Sequence, residues 1–143
     1  MQYSDLWTVG SLAIAVITAA FLIIQTRKYA KVASADLSMR MIEVVRRDDF
    51  RKILHKIRDG ESEKLHENEI GKVLNHYEYL AGFEKDGVVT FNQVLHQHGR
   101  NIKMLYNDPT VKRIFNESRK KDPKYNYVNL DKLFVRIDNK IAN

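Results

Sequence analysis

The sequence predicts an all-α protein, with one N-terminal transmembrane helix followed by a small bundle of four to five helices. Three observations lead to this fold class. A run of 19 residues without a charged side chain extends from Leu6 to Ile24. The 143 residues include only two Pro and six Gly, which leaves long uninterrupted stretches. After the run, apolar residues recur at three- and four-residue spacing, which is the period of a helix that buries one face.

The apolar run has the length of a membrane span. At about 1.5 Å per residue a helix of this length covers roughly 28 Å, close to the ~30 Å hydrocarbon core of a bilayer. A cleaved signal peptide is the alternative, because Ala13-Ile14-Ala15 imitates a processing site, but the segment lacks the basic start and the short apolar core of a signal peptide. We expect a retained anchor with interfacial flanks over residues 1–29 and a cytosolic helical domain over residues 30–143.

The basic residues predict the orientation of the chain. All 24 Lys and Arg lie at or after Arg27, and loops rich in these residues stay on the cytoplasmic side. We therefore expect a cell-membrane protein with its N-terminus outside and its C-terminal domain in the cytoplasm. Arg27, Lys28 and Lys31 are expected to contact the anionic inner leaflet, each contributing about 1 kcal/mol. A plain solvated helix is the alternative, and a nucleic-acid surface is disfavoured because acidic residues interrupt the basic runs.

Small residues form a stripe within the predicted span. Ser11, Ala15 and Ala19 stand four residues apart, so they share one face of a helix. Small residues let helices approach closely in lipid, and the stripe therefore predicts a helix contact with a membrane protein partner or a second copy, although an accidental lipid-facing stripe is the alternative. The span holds no ionisable residue, which disfavours an ion or proton path through it.

The segments after the span show helix start and stop signals. Residues 37–57 form one apolar stripe, with a possible break at Asp48-Asp49 and an end at Gly60. A second helix is predicted to begin near Glu67 and to end at the Lys85-Asp86-Gly87 turn, and a third to begin at Thr90 as its N-cap. Asp108-Pro109 opens a fourth helix, because Asp caps well and Pro at the first helical position loses no hydrogen bond. After a Tyr-rich linker, residues 130–141 form the last amphipathic helix.

No arrangement of reactive side chains predicts a catalytic, cofactor or metal site. With Gly87 as the loop glycine of an EF-hand, Gly82 and Gln93 fall at the essential ligand positions, so we expect a helix-turn-helix corner there. Cys is absent, and no His has the HExxH spacing of a zinc site. We expect each His to lie at the surface or to be hydrogen-bonded, and Glu78 to pair with Arg or Lys of a neighbouring helix.

The chain resembles uncharacterised small single-pass membrane proteins of bacteria and archaea that carry a cytosolic helical domain. The likeness lies in the single N-terminal span, the basic helix after it and the segment VLNHYEYLAGFEKDGVVTFNQVL, where Glu78, Ala81 and Gly87 fit a Glu-x-x-small-x-x-x-x-x-Gly pattern. This resemblance implies the architecture and no activity.

These observations predict a non-catalytic membrane protein that acts as an accessory subunit or adaptor of a larger membrane complex. The alternative is a membrane-tethered sensor or effector that binds anionic lipid or nucleic acid through its basic helices. Membrane lipid and a membrane protein partner are the expected contacts, and no cofactor is expected.

Overall fold

The computed structural model describes residues 3–124 and 126–141, without the side chains at 3–11, 13 and 38. The described residues form helices and connecting turns and contain no strand, which confirms the predicted all-α class. The chain divides into two compact units, Met1–Leu37 and Ser38–Asn143. The elements in order are α1 (Tyr3–Arg46), α2 (Asp48–Arg58), a 3₁₀ turn (Ser62–Lys64), α3 (Glu67–Lys85), α4 (Phe91–Asn107), α5 (Pro109–Lys121) and α6 (Val128–Ile141).

Helix α1 is 44 residues long and continues without a break through the predicted span and the basic segment behind it. Among the residues that the structure describes, none of the helices combines the length and the apolarity that crossing a membrane requires. The transmembrane helix of the predicted fold class therefore stays a prediction.

The predicted helix starts after α1 are confirmed. Arg47 has extended backbone angles, φ −60° and ψ 140°, so the chain breaks there and α2 begins at Asp48. The Thr90 hydroxyl accepts a hydrogen bond from Gln93 N at 3.3 Å and caps α4. Asp108 Oδ1 accepts one from Val111 N at 2.9 Å and caps α5. Side-chain caps satisfy backbone donors that a helix leaves unpaired at its start, which is why these residue types mark the boundaries.

The turn between α3 and α4 is the predicted helix-turn-helix corner. Gly87 has a φ of +73°, a left-handed conformation that glycine adopts without steric cost. Val89, two residues after Gly87, is 3 % exposed, so the corner is held by a packed side chain. The residues of this turn thus serve the connection between two helices.

Helix α3 lies at the centre of the C-terminal unit, where it packs against α2, α4, α5 and α6. Its apolar side chains Ile70, Val73 and Leu74 are fully buried. The fully buried apolar side chains of the other helices are Val94, Ile102 and Leu105 of α4, Val111 of α5, and Leu130, Leu133 and Ile137 of α6. The position of α3 explains why its polar residues, described below, also lie inside the bundle.

Candidate functional site

The first candidate site is the apolar surface of α1. Eight large apolar side chains between residues 12 and 24 are 54 to 69 % exposed. Four of them, Phe21 to Ile24, are consecutive and so cover roughly one whole turn of the helix. A helix with apolar side chains on every face occurs in the core of a large protein or in a membrane. The eight residues are Leu12, Ile14, Val16, Ile17, Phe21, Leu22, Ile23 and Ile24.

Polar side chains within this part of α1 are bonded inside the helix. The Thr18 hydroxyl donates to the carbonyl oxygen of Ile14 at 2.8 Å, and the Thr26 hydroxyl donates to the carbonyl oxygen of Leu22 at the same distance. A hydroxyl that donates to the carbonyl four residues earlier needs no water for its proton. Both threonines therefore suit an environment without water.

The side chains predicted to act at the membrane lie on α1. Ala15 and Ala19 are exposed and four residues apart, while the side chain of Ser11, the third member of the stripe, lies outside the described residues. Arg27, Lys28 and Lys31 are exposed on the same helix, directly behind the apolar surface. The helix contact of the first group and the leaflet contact of the second stay predictions.

Glu78 on α3 caps the first turn of α6. Its Oε1 accepts hydrogen bonds from Asn129 N at 3.2 Å and from Asn129 Nδ2 at 2.9 Å, and its Oε2 accepts one from Leu130 N at 2.7 Å. The expected pairing with Arg or Lys is therefore wrong. The first N–H groups of a helix lack partners and carry a partial positive charge, so they bind a carboxylate as a cation would.

A cluster of buried rings connects α2, α3 and α4. The ring centroid of His76 lies 5.0 Å from that of Phe50, 5.1 Å from that of Tyr77 and 6.3 Å from that of His98. His76 is 8 % exposed and His98 is 2 % exposed. Within the described residues, His76 Nε2, the Tyr77 hydroxyl and both ring nitrogens of His98 have no hydrogen-bond partner.

The expected surface or hydrogen-bonded position is therefore wrong for His76 and His98. The spacing of His98 in the sequence indicates its burial, because it stands four residues after buried Val94 and four before buried Ile102. A neutral imidazole can pack edge-on against an aromatic ring, which is how His76 meets Phe50. Both histidines thus occupy core positions as flat, uncharged rings.

Burial keeps the cluster uncharged. It lowers the pKa of His76 from 6.5 to about 4, with His98 adding a smaller electrostatic effect, and it also lowers the pKa of His98 to about 4. Burial raises the pKa of the Tyr77 hydroxyl. The Asn101 side chain lowers this pKa by a smaller amount, but it does not form a hydrogen bond with the hydroxyl. At neutral pH all three groups therefore stay uncharged in the folded domain.

In the part of the chain that the structure describes, no group of three or more His, Asp or Glu is placed to hold a metal ion. No family model matches the chain, and no curated protein or solved structure is significantly similar to it. The function is therefore argued from the surfaces described above.

Proposed function

We propose that the chain is a single-pass membrane protein without catalytic activity, which serves as an accessory subunit or adaptor of a larger membrane complex. In this proposal residues 6–24 span the cell membrane, the N-terminus lies outside, and the helical domain lies in the cytoplasm. The observation that carries the proposal is the exposure of apolar side chains on every face of α1 between residues 12 and 24.

The free energy of hydration supports the proposal. Exposed apolar area costs about 25 cal/mol per Å² in water, and soluble monomers rarely expose a large continuous apolar patch. Lipid removes this cost for every face of a helix at once, whereas a protein partner must surround it. The internal hydrogen bonds of Thr18 and Thr26 fit the same environment, because they leave neither hydroxyl proton unpaired.

The flanks supply the proposed orientation. Residues before the span include no Lys or Arg, whereas Arg27, Lys28 and Lys31 follow it closely and are exposed. These three side chains can reach the headgroups of the inner leaflet, whose anionic lipids attract basic residues. The proposed cytoplasmic position of the domain follows from this asymmetry.

The accessory role rests on two features. Exposed Ala15 and Ala19 offer a face on which a second transmembrane helix can approach closely. Several titratable groups of the C-terminal unit act as helix caps, ion pairs and packed rings, which are structural tasks. A partner in the membrane is therefore proposed to give the protein its activity.

Membrane fractionation tests the proposed span. The double variant Ile17→Lys/Phe21→Lys places two charges in the apolar segment, at a cost of about 3 kcal/mol each at the centre of a span. Val32→Lys/Met39→Lys is the matched control, because both residues lie on α1 behind the span and are 66 % exposed. We expect the wild type and the control to stay in membranes after alkaline carbonate extraction, and the first variant to be released. Release of the wild type would overturn the proposal.

The accessory role has its own test. We expect the native mass of the gently extracted protein to exceed that of one chain, and Ala15→Leu to reduce the fraction in the larger assembly. Ala33→Leu serves as the control, because it makes the same change at an exposed position of α1 outside the span. A wild type that remains a lone monomer in several mild detergents would contradict the accessory role while leaving the anchor in place.

A second candidate function is an effector that binds an anionic surface through its basic helices. It is favoured by Lys120 and Lys121, which are exposed at the end of α5. Salt distinguishes the two candidates, because electrostatic binding weakens steeply as ionic strength rises, whereas a packed subunit interface persists.

A further inference from the structure

A pocket of about 440 Å³ lies between α3 and the chain that leads into α6. One wall is formed by a face of α3, and the other by the residues around the start of α6. The lining includes Asn75, Glu78, Tyr79, Gly82, Asp86 and Asn129. All of them belong to the C-terminal unit, so the pocket is a feature of the helical domain itself.

The lining is acidic on a basic protein. The chain has a net charge of +6 and 24 Lys and Arg, yet the lining contains two carboxylates and no basic side chain. Glu78 is held in place by three N–H donors, none of which carries a full charge. Asp86 is exposed at the end of α3 and forms no ion pair with a described residue. Both negative charges therefore lack a cationic partner within the described chain.

An aromatic ring and an amide accompany these charges. Tyr79 is 67 % exposed, which is unusual for an aromatic side chain on the central helix of a bundle. Such a ring attracts an organic cation through its π face. Asn75 is exposed one helical turn before it, and its amide oxygen can accept hydrogen bonds.

Gly82 leaves the α3 wall of the pocket open. Glycine inside a helix is less favourable than alanine, and a Cβ on Gly82 would meet only Asn129 Nδ2, at an ordinary contact distance of 3.7 Å. Neither its backbone conformation nor the packing of the bundle requires glycine at this position. What the missing side chain provides is open space on the α3 wall of the pocket.

We propose that this pocket binds the ammonium or guanidinium group of an organic cation. Glu78 and Asp86 supply the negative charge, Tyr79 packs against the cation, and Gly82 leaves room for the alkyl chain that carries it. A guanidinium group offers five N–H donors and an ammonium group three, which matches a lining rich in carboxylate and amide oxygens. The ligand is either a free polyamine or a Lys or Arg side chain of a protein partner.

An NMR titration of the isotope-labelled full chain in detergent micelles tests the proposal. The probes are butylguanidinium and butylammonium, with butylurea as the uncharged analogue of similar shape. We expect the two cations to shift the amide signals of Tyr79, Gly82 and Asp86 in a saturable manner, and butylurea to shift them far less. Absence of saturable shifts, or equal binding of butylurea, would overturn the proposal.

Two variants address the cation-binding side chains directly. Asp86→Asn and Tyr79→Ala should each weaken binding about twofold to fivefold, as expected for one exposed charge pair or one cation–π contact. Asp49→Asn makes the same change of charge at an exposed position of α2 and should leave the affinity unchanged. Affinities that do not differ between these three variants would contradict the assignment.

Substitution of Gly82 distinguishes an effect on cation binding from an effect on stability. Gly82→Ala should raise the melting temperature by a few degrees and weaken cation binding. Gly71→Ala is the matched control on α3, because a Cβ there meets nothing within 4 Å; it should raise the melting temperature alone. Unchanged binding by Gly82→Ala would remove the role proposed for this residue.

Tighter binding of spermidine than of a capped Gly-Arg-Gly peptide would assign the ligand as a free polyamine, and the reverse would assign it as a side chain.

Discussion

Leucine and isoleucine have opposite environments in the two units of the molecule. In the N-terminal unit Leu12 and Ile17 are 68 and 69 % exposed, whereas Ile70 and Leu74 of α3 have no exposed surface. The difference comes from the neighbouring helices, since α3 is packed on several sides by other elements of its unit. The same residue types therefore stabilise the C-terminal unit from within, whereas those described in the N-terminal unit between residues 12 and 24 are exposed.

The two units also differ in whether their polar side chains have hydrogen-bond partners. The N-terminal unit satisfies the hydroxyl of Thr18 within its own helix, whereas the C-terminal unit buries His76 and His98 with ring nitrogens that have no partner among the described residues. Burying an unpaired polar group costs free energy. The helical domain thus tolerates a local cost that its apolar core offsets, and this makes the two units sensitive to different changes.

The largest expected effect comes from truncating the same residue type in each unit. Ile70→Ala should lower the free energy of unfolding of the helical domain by about 2–5 kcal/mol, because it removes buried methyl groups and leaves a cavity. Ile17→Ala should leave this free energy unchanged, because its side chain is exposed within the chain. Urea unfolding of the full chain in mild detergent, followed by the near-UV circular dichroism of its tyrosines, provides the measurement. Equal destabilisation by both variants would abolish the distinction between the units.

Local signals explain why the helix boundaries could be predicted. Thr90, Asp108 and Gly87 act through their own backbone or through residues three positions away, so the information lies within a short stretch of sequence. Helical periodicity likewise depends only on spacing. These short-range interactions predicted the all-α class and every helix start from α2 to α5.

Local sequence signals did not predict the long-range interactions. The bonds from Asn129 and Leu130 to Glu78 join residues more than 50 positions apart, and no periodicity of either segment indicates that they meet. The pocket beside Glu78 depends on the same contact. For His98 the spacing to Val94 and Ile102 was sufficient to predict burial, but the preference of histidine for polar surroundings led to the wrong expectation.

The second prediction concerns acid stability of the helical domain. Well above pH 6.5 both buried histidines are neutral in the folded and the unfolded chain, so they cause no pH dependence. Below this pH the unfolded chain binds protons that the folded domain excludes until about pH 4. Stability should therefore fall as the pH decreases from 6.5 to 4, by at most about 3 kcal/mol for each histidine. Urea unfolding at a series of pH values measures this loss.

Variants on one helix isolate the histidine contribution. His98→Leu should reduce the pH dependence between 6.5 and 4 by about half, since His76 remains, whereas His96→Gln, at an exposed position of α4, should leave it unchanged. An NMR titration of the wild-type imidazoles gives a second measurement if the first variant folds poorly. Protonation of His76 and His98 near pH 6.5 in the folded domain would show that burial does not lower their pKa values.

The smallest expected effect is the difference in stability between variants that remove one or the other of two carboxylates on α3. Glu78→Ala should destabilise the helical domain by about 1–3 kcal/mol, because it leaves N–H donors of α6 without a partner in a partly buried place. Glu84→Ala should cost about 1 kcal/mol or less, because the Arg136 side chain that it releases is half exposed and can be hydrated. Amide hydrogen exchange separates the two mechanisms. Glu78→Ala should accelerate exchange at Leu130 in the first turn of α6, and Glu84→Ala should not. Equal exchange at Leu130 in both variants would contradict the capping role, since only a cap acts on the backbone donors themselves.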